Sequence, residues 1–539
     1  MSALLLTLTP VVPLLMVAAL AVPALRPAVL RLLWIAPLPG LACALFAHGS
    51  EPFIVYARVR LMLALDGPSA LLLGAAAVLW CAASVYAQCY MAKDGLARFA
   101  GWWLPTMAGS LGVFVAGDLI GFYLVYALAS LPAWGLVVHD RTARAWNAGA
   151  TYILLTVLGE AALLAAFALL AAFSPGSTLA IADVLPHLAD APLRDVTIGL
   201  LILGFGLKAG LVPLHVWLPL AHPAAPMPAS AVLSGAIIKA GIIGLIRFLP
   251  AEVTPMGWGE ALAVIGFVTA FWGVGMGVTQ RNPKTVLAYS SVSQMGVVAA
   301  AIGMGIAGGI ATTPTSAAYY ALHHVLAKGA LFLAVGVAAK SGGAARAWVI
   351  LPAVLLALGF GGMPLTGGWL AKEAVKVELG SGLVGTLSAL SAAGSTLLML
   401  HFARRLAAGF AVEERARPPL ELLLPWLAMA AAAVVLPWAL FDVAGGSLAA
   451  VLTGASMLKA LWPVLAGLAL LGVLAWLGDR VPEVPGGDVL QLGRRLLRRA
   501  APVAPALERA EAVLRAWPAA GLALLVLALA LGLAMTGVP

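Results

Sequence analysis

Four lysines stand inside stretches that are otherwise apolar enough to lie in a bilayer: Lys208, Lys239, Lys328 and Lys372. Histidines accompany them: His215 and His222 between the first two, and the adjacent pair His323 and His324 just ahead of Lys328. Glu160 is a lone carboxylate within LLTVLGEAALLAA. An ionised side chain at bilayer depth costs roughly 3 kcal/mol on insertion scales, so such groups mark an ion or substrate path by default. Burial loosens a lysine's hold on its proton, and histidine titrates near neutrality unaided. His324 and Lys328 are four residues apart and share one helix face. A row of such groups can pass a proton laterally through the middle of a membrane. Each also has a plainer reading. Lys208 and Lys372 can snorkel to an interface, the three other histidines can pack or satisfy backbone groups, and a protonated Glu160 can bond within its own bundle. Metal ligation is poorly supported, because no carboxylate cluster joins the histidines.

The elements that position these residues are membrane spans. The chain has 539 residues, 63% hydrophobic and 10% charged, with mean hydropathy +1.04. About a quarter of an ordinary soluble chain is charged, so the class is an all-α polytopic membrane protein. The net charge of +9 then reflects basic loops rather than nucleic-acid binding. With about 20 apolar residues per span, about 16 spans are expected. They fall near 4–22, 28–47, 69–91, 100–117, 118–138, 149–173, 196–220, 229–249, 260–279, 286–306, 315–340, 347–379, 382–409, 420–441, 455–477 and 518–537. The first is read as a helix, not a signal, since no basic region precedes it. Cys43, Cys81 and Cys89 lie in apolar stretches and read as small core residues, and no Cys/His spacing suggests a metal, haem or cluster.

Two spans are interrupted. Five prolines from Pro213 to Pro228 break up the segment 201–248, and GGMPLTGG breaks the span near 347–379. Each is the fourth helix of a five-helix block, 100–249 and 260–409, and an odd helix count turns the second block upside down. Paired broken helices in matching positions point to an inverted repeat with its site at the breaks. Helices over 1–99 precede the blocks, and 410–539 follows them. Within the last part, 478–517 is basic and amphipathic and reads as a cytoplasmic interfacial segment. Basic residues alternate between loops: Arg26 and Arg31, Lys93 and Arg98, Arg141 and Arg144, Arg281 and Lys284, Lys340 and Arg346, Arg404 and Arg405. The positive-inside rule puts both termini on the non-cytoplasmic side of the cell inner membrane. Asp118 and Asp140 sit near span ends; Asp118 is a weaker candidate for admitting ions.

The stretch LGFGLKAGLVPLHVWLPLAHPAAPMPASAVLSGAIIKAG resembles the antiporter-like subunits of respiratory complex I, of Mrp-type cation:proton antiporters and of group 4 membrane-bound hydrogenases. QRNPKTVLAYSSVSQMG, HVLAKGALF and GGMPLTGGWLAKE fit the same family in the same order. The resemblance implies 14 core helices with two inverted five-helix repeats around a central polar axis. It implies a proton path through Lys208, Lys239, His324, Lys328 and Lys372, with His215 and His222 in the loop of the first break. It also implies translocation of protons, or exchange of sodium for protons, within a larger complex. One departure stands out: the family's fifth-helix glutamate, partner of the first lysine, falls at Ala127. Glu160 is the candidate replacement. The expectation is an ion-translocating subunit, itself without cofactor, lying in lipid beside other membrane subunits and redox or antiporter partner chains. Two alternatives are a membrane subunit of an inorganic-carbon uptake complex and a scaffold that does not pump.

Overall fold

Small acceptors and prolines start many of the helices. Asp66 accepts from Ser69 N at 2.7 Å ahead of Gly67–Tyr90, with proline in the first turn. Thr142 accepts from Ala145 N at 3.1 Å ahead of Ala143–Phe173, and Asn282 from Lys284 N at 2.9 Å ahead of Pro283–Gly308. These caps satisfy donors that a helix start leaves free, which matters most where little water can reach. The result, seen in a computed structural model, is an all-α polytopic membrane protein. The structure describes residues 1–49, 51–56, 61–91, 93–174, 178–410 and 416–487.

Among the described residues, 12 helices are long and apolar enough to cross a bilayer: Ser2–Ala21, Gly67–Tyr90, Leu119–Val137, Ala143–Phe173, Arg194–Ala224, Met227–Phe248, Met256–Val278, Pro283–Gly308, Thr313–Ala339, Gly382–Ala407, Leu420–Ala439 and Gly454–Leu477. Lys93–Val115 and the shorter apolar helices Leu33–Phe46 and Arg346–Gly361 stand at three further expected positions. The span expected at 28–47 is divided into Arg26–Arg31, Leu33–Ile35 and Leu38–Phe46. Pro37 and Pro39 in that stretch remove backbone donors. The fifth helix halts at Ser130 and resumes at Ala133, where Pro132 intervenes. The span near 518–537, and the amphipathic segment from 488 onward, lie outside the described residues.

Pro283–Gly308 and Thr313–Ala339 are buried along their whole apolar windows, while Gly454–Leu477 is buried over only 17% of its window. The two wholly buried helices form the axis. Met256–Val278 packs backbone to backbone on the first of them: a Cβ on Gly266 would fall 2.6 Å from Gly296 O and 2.5 Å from Ala300 N. Small residues permit that approach where lipid supplies no hydrophobic drive.

At the end opposite the basic loops, Phe53–Tyr56 pairs antiparallel with Leu61–Leu63, a hairpin the hydropathy pattern does not announce. Asp118 holds it. One carboxylate oxygen accepts from Met62 N and the other from Gly121 N, each at 2.7 Å. Asp118 is thus a helix cap and hairpin anchor. Asp118→Ala is expected to lower stability by about 1–2 kcal/mol, read as an earlier thermal transition of the detergent-solubilised protein.

Arg247 ties the same end together. Its guanidinium donates to Val113 O at 3.2 Å, Phe114 O at 2.7 Å and Ala116 O at 2.8 Å. It also donates to Ser69 Oγ at 2.8 Å and pairs with Asp66 at 3.2 Å. The three carbonyls lie at or just past the end of Lys93–Val115, where a helix lacks internal partners.

Candidate functional site

The two interruptions are built alike. Arg194–Ala209 stops at Gly210, with φ +84°. Its N–H bonds back to Gly206 O at 2.9 Å, and Leu211 N returns to the same carbonyl at 2.8 Å. Arg346–Gly361 stops at Gly362, with φ +88°; Gly362 N bonds Gly359 O at 2.9 Å and Met363 N bonds Leu358 O at 3.2 Å. A left-handed cap of this kind suits glycine. A Cβ on Gly210 would also collide with Leu218 Cδ1 at 2.2 Å. Neighbours satisfy the loosened backbone, as a break at membrane depth requires. Val212 N donates to Thr269 Oγ1, and Trp217 Nε1 to Leu207 O, each at 3.0 Å.

Lys208 lies two residues before the first break and is buried. Its amine donates to Ser130 Oγ at 2.5 Å and stands 5.3 Å and 6.0 Å from the Tyr126 and Tyr152 ring centres, within cation–π range. Glu160 is buried and lies near enough to Ser130 and Lys208 for both to act on its carboxylate. Its Oε1 has no hydrogen-bond partner among the described residues. Among those residues no direct ion pair joins Glu160 to Lys208; the Ser130 hydroxyl, which donates to Tyr126 O at 2.7 Å, lies beside both. Ser130 lies three residues beyond Ala127, one helical turn along the same face.

Lys239 follows a widened turn. Met227–Val232 passes into a π-helical segment, Leu233–Ile237, before Lys239–Phe248 resumes the α form. Such segments cluster at functional sites. The Lys239 amine donates to Ser234 O at 3.2 Å and meets His324 Nδ1 at 2.6 Å. His324 Nε2 has no partner among the described residues. One turn on, Lys328 donates to Ser290 Oγ at 2.6 Å and Leu287 O at 3.2 Å. Ser291 also donates to Leu287 O at 3.0 Å and shares a 2.7 Å bond with Ser234. A closed set of hydroxyls and carbonyls therefore ties the Lys239 helix to the Lys328 helix.

Lys372 follows the second break, partly buried, 5.9 Å from the centre of the Tyr320 ring. Tyr320 Oη donates to Gln294 Oε1 at 2.7 Å, and Gln294 Nε2 to Ser395 Oγ at 2.9 Å. His323 packs 5.3 Å from the Phe360 ring centre. His215 lies among Trp272 and Tyr289. His222 stacks on Phe332 at 4.8 Å, and neither ring nitrogen has a hydrogen-bond partner among the described residues.

The expected path residues thus form three groups: Glu160 with Lys208; Lys239 with His324 and Lys328; and Lys372 with its Tyr320–Gln294 neighbours. Among the described residues no hydrogen bond bridges Lys208 to Lys239 or Lys328 to Lys372. Ser130, Ser234, Ser290, Ser291, Gln294 and Tyr320 carry much of the contact chemistry. Serine is common in any helix, and only the run YSSVSQ gives a sequence-level hint.

A bundle of buried axial helices flanked by two glycine-capped breaks is the fold of a polytopic α-helical membrane protein. The family described as NADH:quinone oxidoreductase/Mrp antiporter, TM matches residues 116–397, just over half the chain, and the chain belongs to that family. Hydrogenase-4 component B of Escherichia coli (strain K12) is 31% identical over 296 residues, 51% of this chain and 43% of that protein. The putative antiporter subunit mnhA2 of Staphylococcus saprophyticus is 30% identical over 377 residues, 65% of this chain and 47% of that protein. The chain spans about half the length of the curated relatives it matches. Among solved structures, the Mrp complex from Dietzia sp. DQ12-45-1b aligns with TM-score 0.74 at 23% identity, covering 98% of this chain and 63% of that one. Respiratory complex I from Thermus thermophilus aligns with TM-score 0.64 at 23% identity, covering 81% and 97%. These two share the fold.

Proposed function

We propose that the chain is a proton-translocating (or sodium/proton-exchanging) membrane subunit of a larger assembly, working through the central lysines and histidines. The observation that carries this reading is the 2.6 Å contact between Lys239 and His324 Nδ1 in a wholly buried setting, with His324 Nε2 left open. With the Lys239 ammonium donating, Nδ1 is the acceptor. A proton taken at Nδ1 can leave from Nε2, which is how an imidazole relays a charge. Lys328, one turn along, is the next group, and Ser290 leads from it toward Gln294, Tyr320 and Lys372. Lys208, held by Ser130 and facing Glu160, governs the charge near Lys239. The kinship with chains named antiporter subunits supports the same reading, as do the matched glycine caps, which fit two inverted five-helix blocks at 100–249 and 260–409. We also propose that the basic loops face the cytoplasm and both termini the other side of the cell inner membrane, with redox or antiporter chains as neighbours.

The test is reconstitution of the assembly in liposomes, with internal pH and sodium followed separately. Coupled proton movement is expected. A sealed, correctly assembled preparation that moves neither ion under a driving force would show a scaffold instead. Within that assay, Ser130→Ala removes the hydroxyl beside Glu160 and Lys208 and is expected to slow translocation roughly tenfold, the order of one hydrogen bond to a charged group. An unchanged rate would mean that Glu160 and Lys208 work independently.

A further inference from the structure

Glu378 has no part in the relay above, yet it is 4% exposed and lies past the second break, on Lys376–Leu379. Its Oε1 accepts from Thr313 Oγ1 at 3.0 Å and Ser316 Oγ at 2.7 Å. Both hydroxyls belong to the first turn of Thr313–Ala339, the helix that carries His324 and Lys328. Its Oε2 is also buried and has no hydrogen-bond partner among the described residues. Holding the helix start explains one oxygen and not the other, and an unsatisfied buried carboxylate oxygen is costly.

Its surroundings give that oxygen a use. Lys372 is six residues earlier, on Gly367–Ala374, and Val375 separates that helix from the one that carries Glu378. Glu373, nearer to Lys372 in sequence, is engaged by Lys376 at 2.7 Å and by Ser456 at 3.4 Å. On the far side, Thr313 forms part of the wall of a cavity of about 60 Å³, together with Ile246, Gly305 and Glu252. Glu252 is exposed, so the cavity leads to the surface opposite the basic loops. Its volume suffices for water.

We infer that Glu378 is the release carboxylate of the second half of the molecule, taking a proton from Lys372 and delivering it to water in the Thr313–Glu252 cavity. This rests on the relay reading. In the first step one proton from the Lys372 ammonium reaches Glu378 Oε2 by way of intervening water, leaving a neutral amine and a neutral carboxylic acid. In the second the acid gives that proton to water as hydronium and becomes a carboxylate again. Thr313 and Ser316 fix Oε1, so Oε2 is the atom that takes and gives the proton.

The test compares Glu378→Gln, Glu378→Asp, Thr313→Val and Lys239→Met in the reconstituted assembly. Glutamine keeps an oxygen for both hydroxyls but carries no exchangeable acid. Glu378→Gln is expected to assemble normally and to lose proton translocation at least tenfold, with Glu378→Asp recovering a measurable part. Glu378→Gln at the wild-type rate would overturn the inference. If that variant fails to assemble, Thr313→Val decides: a severalfold loss supports the route through the cavity, and an unchanged rate overturns it. Lys239→Met separates the two readings. If it is inactive while Glu378→Gln is fully active, only the release route is wrong. If it is fully active, the central relay itself is wrong.

Discussion

Lys239→Met is expected to insert, fold and assemble as the wild type does, and to lose coupled translocation by two orders of magnitude or more. Methionine fills the volume of the lysine stem without the amine and adapts well to irregular packing. The position is fully buried, so removing the amine relieves a desolvation cost rather than opening a void. His324 Nδ1 loses the donor 2.6 Å away, and Ser234 O reverts to the ordinary state of a carbonyl in a loosened turn. The measurement is internal acidification in liposomes beside a size-exclusion profile of the assembly. Full transport with a normal profile would take Lys239 out of the path. Lys239→Arg is expected not to rescue, because a guanidinium stays charged and cannot hand over its proton.

Arg247→Ala is expected to have the largest effect on stability, on the order of 3 kcal/mol. Three carbonyls around the end of Lys93–Val115 lose their donor at once, at a site where little water can replace it. Arg247→Lys should recover little, since an ammonium cannot span three carbonyls, a hydroxyl and a carboxylate from one position. Thermal unfolding in detergent gives the readout, and a transition within a degree or two of wild type would mean that neighbouring helices hold this end without it. The partner carboxylate adds a pH signature. Burial alone would raise Asp66, but Arg247 and Ser69 outweigh it and hold the carboxyl below its ordinary value. Its contribution to stability is therefore complete above the ordinary aspartate range and is lost as pH falls through the lowered native value. Arg247→Ala should flatten that acid limb.

Much of the architecture was legible because a bilayer writes in long apolar runs. The breaks were legible too, since glycine and proline inside such a run have few other uses. Charged side chains were conspicuous because they are expensive there, and Lys208, Lys239, Lys328, His324 and Glu160 are buried while Lys372 is partly so. What the sequence hid was of two kinds. Hydroxyls such as Ser130 and Ser290 cost little in any helix, so nothing in their neighbourhood marks them as contacts of an amine. Arg247, Asp118 and Glu378 sit near span ends, where a charge is unremarkable and reads as interfacial. Their roles come from partners 62 to 181 residues away in sequence for Arg247 and Glu378, or from a hairpin too short to show a period for Asp118. The π segment was hidden for another reason: hydropathy at a period of 3.6 cannot register one surplus residue among leucine, serine, glycine, alanine and isoleucine.

That surplus residue fixes the azimuth of everything after it. A regular helix advances about 100° per residue, so the extra member of Leu233–Ile237 swings the remainder round by about that angle. Two unrelated features depend on the swing. It aims the amine of Lys239 at the imidazole of His324, and it presents Gly241 to Phe205 O, which a Cβ there would meet at 2.5 Å. Deleting one residue from this turn would misdirect the amine and drive bulkier side chains into that flank together. Conversely, a rotation that disengaged the amine would have to prise the two helices apart, so the flat side of Gly241 acts as a detent for the donor several ångströms away.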